Sequence, residues 1–258
     1  MASQPAAISL VIEGPVAVAT LARAPVNAID DDWIARLAEV VQAAEAARGT
    51  RVLLIRSSER IFSAGADLAL MRSRFDSESG RARMVAFARA MQRSYARLET
   101  SPLVSIAEIG GAAMGGGLEL ALACDLRVAS AAAKLGLPEA RLGLLPGAGG
   151  TQRLTRLCGE TVAKRLILGA EVVDGSEAAR LGIVQWAVPA DELICRAQRL
   201  ATDLAALPAE SLAACKRCIG AAVNGDGKGY ELELEATGML LASADTQGRV
   251  RAFLEKRR

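Results

Sequence analysis

The sequence predicts an α/β fold with a substantially parallel sheet, followed by a helical C-terminal region. Three observations carry this expectation. Short β-branched runs alternate with helix-period segments through residues 1–190. From about Asp191 the pattern is nearly all helix, which sets a core over 1–190 against a helical region over 191–258. Apolar residues make up 52% of the chain and aromatics only 3%, so a sizeable core has to be assembled from Ala, Val, Leu and Ile.

Residues 8–12 and 16–21 read as strands joined at Glu13-Gly14-Pro15, a hairpin signal. A helix covers 30–48: Ile34, Leu37, Val40 and Val41 recur at helical spacing, and the run of Asp residues can cap its start. A buried strand at 52–55 feeds a loop over 62–68, and a helix begins near Asp67. Residues 71–80 are polar and rich in Arg and Ser, and are expected to form a mobile loop. A helix over 81–98 ends before Pro102, and a strand follows at 103–107. The glycine-rich stretch 110–117 leads into a helix at 118–123 and a strand at 126–129. Four helices fill 191–206, 209–223, 228–242 and 245–256. Leu232, Leu234, Met239, Leu240 and Leu241 need the core or a neighbouring subunit to cover them.

Composition narrows the chemistry. The chain has no histidine. That excludes Ser-His-Asp and Cys-His nucleophiles and any metal site built on imidazole. Acid–base work falls to carboxylates, Lys, Tyr, Cys or bound water. A net charge of +2 gives no electrostatic case for a nucleic-acid or membrane partner, and 3% aromatics leaves no base-stacking groove. The five cysteines are irregularly spaced and read as reduced thiols; Cys215-Lys216-Arg217-Cys218 has no second pair to complete a metal site. Residues 1–13 carry no leader pattern, and no apolar run reaches the ~18 residues of a membrane span, so a cytoplasmic protein is expected.

Three glycine-rich frames hold the candidate chemistry. Gly115-Gly116-Gly117-Leu118-Glu119 places bare backbone N–H groups and a carboxylate at a helix start. Phe62-Ser63-Ala64-Gly65-Ala66-Asp67-Leu68 offers a second set of amides. If the N–H of Ala64 converges with that of Gly116, the two make an oxyanion hole. Leu137-Pro138-Glu139 precedes Pro146-Gly147-Ala148-Gly149-Gly150-Thr151-Gln152-Arg153. Each motif also has a plain structural reading. Glycines pack helix starts closely, Asp67 suits an N-cap, and Glu119 and Glu139 suit helix-dipole partners. The interval between the two glutamates does not by itself bring them together. Neither glycine run has phosphate-loop spacing, and the 147–150 run follows Pro146 rather than a clean dinucleotide-binding strand.

Taken together and in this order, the three frames resemble the crotonase family, the enoyl-CoA hydratase/isomerase group. Arg23-Ala24-Pro25-Val26-Asn27-Ala28 and Phe253-Leu254-Glu255-Lys256-Arg257 add to the likeness, which spans essentially the whole chain. The resemblance implies a crotonase-like spiral of ββα units, with C-terminal helices that assemble trimers or hexamers (dimers of trimers). It implies an acyl-CoA thioester substrate and no cofactor beyond the coenzyme A that the substrate carries. By motif position it makes the Ala64 and Gly116 N–H groups the oxyanion donors. It makes Glu119 and Glu139 the catalytic acids and sets Gly147 beside the catalytic water. Ala66, Asp67, Leu68, Phe253 and Lys256 become substrate and CoA contacts. Ala24, Leu135 and Ala69 depart from the common family pattern and bear on CoA-phosphate contacts and chain-length preference. Retention of both glutamates points to hydration of a trans-2-enoyl-CoA. The alternatives are another crotonase-type reaction, such as double-bond isomerisation, and a non-catalytic scaffold or RNA-binding role.

Overall fold

The computed structural model describes residues 6–225 and 227–255. Its largest sheet has six strands in the order β1-β2-β4-β6-β8-β11. These are β1 (Ile8–Glu13), β2 (Val16–Leu21), β4 (Val52–Ser57), β6 (Val104–Ile109), β8 (Leu126–Ser130) and β11 (Trp186–Val188). The first pair is the antiparallel hairpin, and every later pairing is parallel. Parallel strands need cover on both faces, and residue alternation supplies it. Val52, Leu54, Ile106 and Val128 face α7 (Leu193–Ala205) through Leu193, Ala197, Leu200 and Ala201. Leu53, Ile55, Ala107 and Ala129 point the other way, into the main core with α1 (Asp31–Ala46).

Two small sheets lie beside the large one. One pairs β3 (Ala28–Ile29) with β5 (Gly65–Ala66); the other has β7 (Ala113–Met114), β9 (Lys134–Gly136) and β10 (Val172–Asp174) in the order β10-β9-β7. These short strands carry no alternation long enough to read from sequence. They exist because the glycine-rich segments cross one another closely, and that crossing builds the site.

The capping signals hold. Asp30 Oδ1 accepts from the Trp33 N–H at 2.9 Å and starts α1. Asp67 Oδ1 accepts from Ala69 and Leu70 at 2.8 and 3.1 Å and starts α2 (Leu68–Arg74). The stretch expected as a mobile loop over 71–80 is instead largely helical. Helix α2 runs to Arg74, and Ser77 caps α3 (Glu78–Thr100) by accepting from the Gly80 N–H at 3.0 Å. Amphipathic spacing was the missing signal there: α2 buries no residue fully.

Helix α4 (Gly116–Ala123) is buried throughout. A 3-10 helix at Pro138–Leu142 and α5 (Gly150–Ile167, broken at Gly159) follow. Helix α6 (Gly175–Arg180) leads to β11. The last helices are α8 (Ala209–Asn224), α9 (Gly229–Ala242) and α10 (Ala244–Glu255). Lys216 pins α8 to the core: its Nζ donates to the Leu98 and Leu103 carbonyls and to Asp125 Oδ2, at 2.8, 2.9 and 2.7 Å. By contrast, α9 buries only Ala236, while Tyr230, Leu234, Met239 and Leu241 stand exposed. Among the described residues no helix is long and apolar enough to cross a membrane.

Candidate active site

The three glycine-rich frames meet around one pocket of about 270 Å³. Helix α4 supplies Gly116 and Glu119, the 3-10 helix supplies Glu139, and the turn before α5 supplies Gly147 and Ala148. Ala64, Gly65, Ala66 and Leu68 close it from the segment around β5. The remaining wall is apolar, with Met71, Met84, Phe87, Met91, Leu142 and Leu145 among its residues and no Lys or Arg.

Glu119 is 2% exposed. One oxygen, Oε1, accepts two backbone N–H bonds, from Ala148 at 2.8 Å and Gly150 at 2.7 Å. That double acceptance requires the turn to lie against the carboxylate, and a side chain on Gly150 would prevent it. A Cβ there would fall 2.8 Å from Pro146 Cβ and 3.0 Å from Glu119 Oε1. Burial raises the Glu119 carboxyl to about 7; Glu139 adds to the rise, while the Gly150 and Ala148 N–H groups and Arg153 oppose it. Desolvation wins because those donors satisfy only one side of the charge. Glu139 is also raised, chiefly by burial, and its Oε2 is buried without a hydrogen-bond partner. Glu139 lies against Gly115, whose φ of +49° few side chains adopt, and a Cβ there would come within 2.9 Å of Glu139 Oε1. Both glutamates line the same pocket, each seated beside a glycine.

The amides need one correction. The Ala64 N–H donates to the Val26 carbonyl at 2.9 Å, so it is already engaged and cannot serve as an oxyanion donor. Three residues on, the Asp67 N–H donates to the Ile29 carbonyl at 2.8 Å. Bonding groups alternate along a parallel ladder, so the N–H of Ala66, the residue just before Asp67 and paired with Ile29, points away from β3, to the side where Gly116 lies. A Cβ on Gly116 would sit 3.5 Å from Ala66 N. Gly116 opens α4, so its own N–H has no intrahelical acceptor. Ala66 and Gly116 thus lie side by side where both line the pocket.

Side chains that the sequence reading passed over hold this backbone. Asn27, fully buried at φ +47°, donates to Ser57 Oγ at 2.8 Å and to the Phe62 carbonyl at 3.0 Å. Ser63 Oγ donates to the Asn27 carbonyl at 2.8 Å. Tyr95, fully buried on α3, donates to the Gly116 carbonyl at 3.0 Å. Arg153 lies beneath the turn that cradles Glu119. Asn27 and Arg153 belonged to motifs visible in the sequence, but Tyr95 carried no signal beyond being a tyrosine on a helix. Asp67 caps α2 and faces Arg23 at 3.7 Å rather than lining the pocket. Phe253 is on α10, outside the residues that line the pocket, and Lys256 lies beyond the described residues.

A mostly parallel sheet with paired carboxylates beneath glycine-framed amides defines the crotonase class of α/β proteins. The chain belongs to the enoyl-CoA hydratase/isomerase family, whose model matches residues 12–258. It is 38% identical over 255 residues to a probable enoyl-CoA hydratase of Bacillus subtilis (strain 168), covering 98% of this chain and 97% of that one. It is 39% identical over 243 residues to the mitochondrial methylglutaconyl-CoA hydratase of Mus musculus, covering 90% and 74%. The solved structure of an enoyl-CoA hydratase from Bacillus anthracis superposes with a TM-score of 0.89 at 31% identity, covering 97% and 96%.

Proposed function

We propose that this chain is an enoyl-CoA hydratase, adding water across the C2–C3 double bond of a trans-2-enoyl-CoA to give a 3-hydroxyacyl-CoA. The observation that carries the reading is buried Glu119 and half-buried Glu139, both with raised proton affinity, opening into one apolar pocket. Both carboxyls have raised proton affinity, and the Glu139 charge adds to the rise at Glu119, so one can hold a proton while the other is ionised. Glu119, fixed as an acceptor by two N–H groups, takes a proton from water as the water oxygen attacks C3. Negative charge moves to the thioester oxygen, where the Ala66 and Gly116 amides and the N-terminus of α4 stabilise it. Glu139, with an unpartnered buried oxygen, delivers its proton to C2. One water is consumed, and proton exchange between the glutamates and solvent resets the pair.

The pocket wall also speaks to the acyl group. Methionines, leucines and Phe87 line it without a basic side chain, which suits a neutral hydrocarbon chain. A carboxylated acyl group such as methylglutaconyl would bury its charge there without a partner, at a cost of several kcal/mol. The chemistry needs no cofactor beyond the coenzyme A of the substrate. The exposed apolar faces of α9 and α10 suit assembly into trimers or hexamers, and the five unpaired cysteines suit the reducing cytoplasm.

The test is the loss of enoyl-thioester absorbance when purified protein meets crotonyl-CoA, with the product identified by mass and by chiral chromatography. Formation of 3-hydroxybutyryl-CoA supports the reading. A shifted double bond without water uptake, or no turnover with any neutral enoyl-CoA, would overturn it.

A further inference from the structure

Arg153 is almost as buried as Glu119, at 6% exposure, yet it does not line the pocket. Its guanidinium lies directly under the Glu119 cradle. Nη1 donates to the Ala148 carbonyl at 2.8 Å, and Nη2 donates to Glu99 Oε2 on α3 at 2.6 Å. The fit leaves no spare room: a Cβ on Gly149, which sits at φ +105°, would overlap Nη1 at 2.3 Å. Ala148 is thus gripped at both ends. Its N–H donates to Glu119, and its carbonyl accepts from Arg153. Arg156 joins on the outer side, donating to the other oxygen of Glu99 at 3.2 Å.

We infer that Arg153 is a positioning residue for Glu119: it holds the Ala148–Gly150 turn so that both N–H groups converge on one carboxylate oxygen. Its charge opposes, without overcoming, the rise that burial gives the Glu119 carboxyl. This goes beyond the hydratase reading and rests on it for the role of Glu119. A bare turn of Gly147, Gly149 and Gly150 has little intrinsic reason to keep two donors aligned, and a forked, permanently charged guanidinium supplies that order. Three charged or titratable groups face Glu119 from the elements around it: Glu139 from the 3-10 helix, Tyr95 from α3 and Arg153 from α5. Arg153 is the only cation of the three. Glu99 partly neutralises it, so Glu99 sets how much of its charge Glu119 feels.

The arrangement predicts opposite shifts from two substitutions. Arg153→Gln removes the charge and the fork. It should lower kcat by roughly 10–100-fold and move the acid limb of the kcat profile up by ~0.5–1 pH unit. KM for crotonyl-CoA should change less than about 3-fold, since the residue is outside the pocket. Glu99→Gln leaves Arg153 in place but frees its charge, and should move the limb down. Arg153→Lys keeps the charge but not the fork; it should hold the limb near wild type while kcat still falls. A residue that served only folding would move the melting temperature and kcat without displacing the limb. Infrared titration of the Glu119 carboxyl band, assigned by its loss in Glu119→Gln, reads the same shifts without turnover. An unmoved Glu119 titration in folded Arg153→Gln, or shifts of the same sign in Arg153→Gln and Glu99→Gln, overturns the inference. Should Arg153→Gln fail to fold, the direction of the Glu99→Gln shift decides. Absence of hydration in the wild-type protein sinks the hydratase reading instead, and the infrared titration still judges Arg153.

Discussion

The turn between α4 and α5 and the surface of α9 and α10 break the same rule in opposite ways. Around Glu119 the protein buries carboxylates, a guanidinium and backbone amides that water would otherwise solvate. Along α9 and α10 it exposes Leu234, Met239, Phe253 and Leu254 that water would otherwise exclude, the first of them 74% exposed. The buried polar groups are nearly all answered from within the chain: Glu119 by two N–H groups, Arg153 by Ala148 and Glu99, the Gly116 carbonyl by Tyr95. The exposed side chains of Leu234, Met239 and Leu254 are not covered within one subunit. One region answers its polar groups from within the chain, and the other leaves apolar surface open to solvent.

That contrast makes measurable demands. The largest effect should come from the carboxylates themselves. Glu119→Gln or Glu139→Gln should keep the fold and lower hydration of crotonyl-CoA by ~10²–10⁴ each. Near-wild-type turnover in either would remove that residue from the chemistry. Next come the amides. Ala66→Pro deletes the N–H that faces Gly116 and should cost ~10²–10³ in kcat, the usual worth of one oxyanion donor. A melting curve must accompany it, because β5 has to tolerate the ring, and full activity in a folded variant would reject Ala66 as a donor.

Smaller, and opposite in sign for stability, is the pH dependence of Glu119→Gln. Glu119 is held at about 7 in the folded protein, well above its value in an unfolded chain. Its contribution to stability is therefore complete in acid and is lost as pH rises through about 7. Gln can accept the same two N–H bonds without ever charging. The variant should melt near the wild type at pH 5 and be more stable by roughly 1–3 kcal/mol at pH 9. Calorimetry at both pH values checks this; equal melting temperatures at pH 9 would mean the carboxylate is not strained. The smallest effect on chemistry should come from the other region. Leu234→Glu with Met239→Glu should split the assembly seen by sedimentation while lowering kcat per folded site less than about 10-fold. Unchanged assembly would show that α9 is not the interface.

Sequence reading reached the glutamates because their neighbours must be glycine, and glycine clusters are visible. Close approach at Gly150 and the left-handed backbone at Gly115 are physical reasons for those letters. The sequence points to the Ala64 amide, which the structure finds engaged by the Val26 carbonyl, whereas Ala66 lies beside Gly116. Ala64 and Ala66 are alanines in one frame, and which amide faces the pocket depends on the turn at Gly65, with φ of +90°. No single-letter pattern encodes that direction. Helix α5 went unread because its start looks like loop, and the Arg153–Glu99 contact joins residues far apart in the chain. Local signals such as the Asp30 and Asp67 caps were legible for the converse reason: donor and acceptor lie within one helical turn.

The central claim is that Glu119 and Glu139 act as one unit on one water. A double-mutant cycle tests it most directly, with kcat for crotonyl-CoA hydration measured in Glu119→Gln, Glu139→Gln and the two combined, each confirmed folded by calorimetry. Residues that share a single step lose their effect together, so the double variant should fall within about 10-fold of the slower single variant. A double variant whose loss equals the product of the two single losses would show that the glutamates work independently, and would contradict the account.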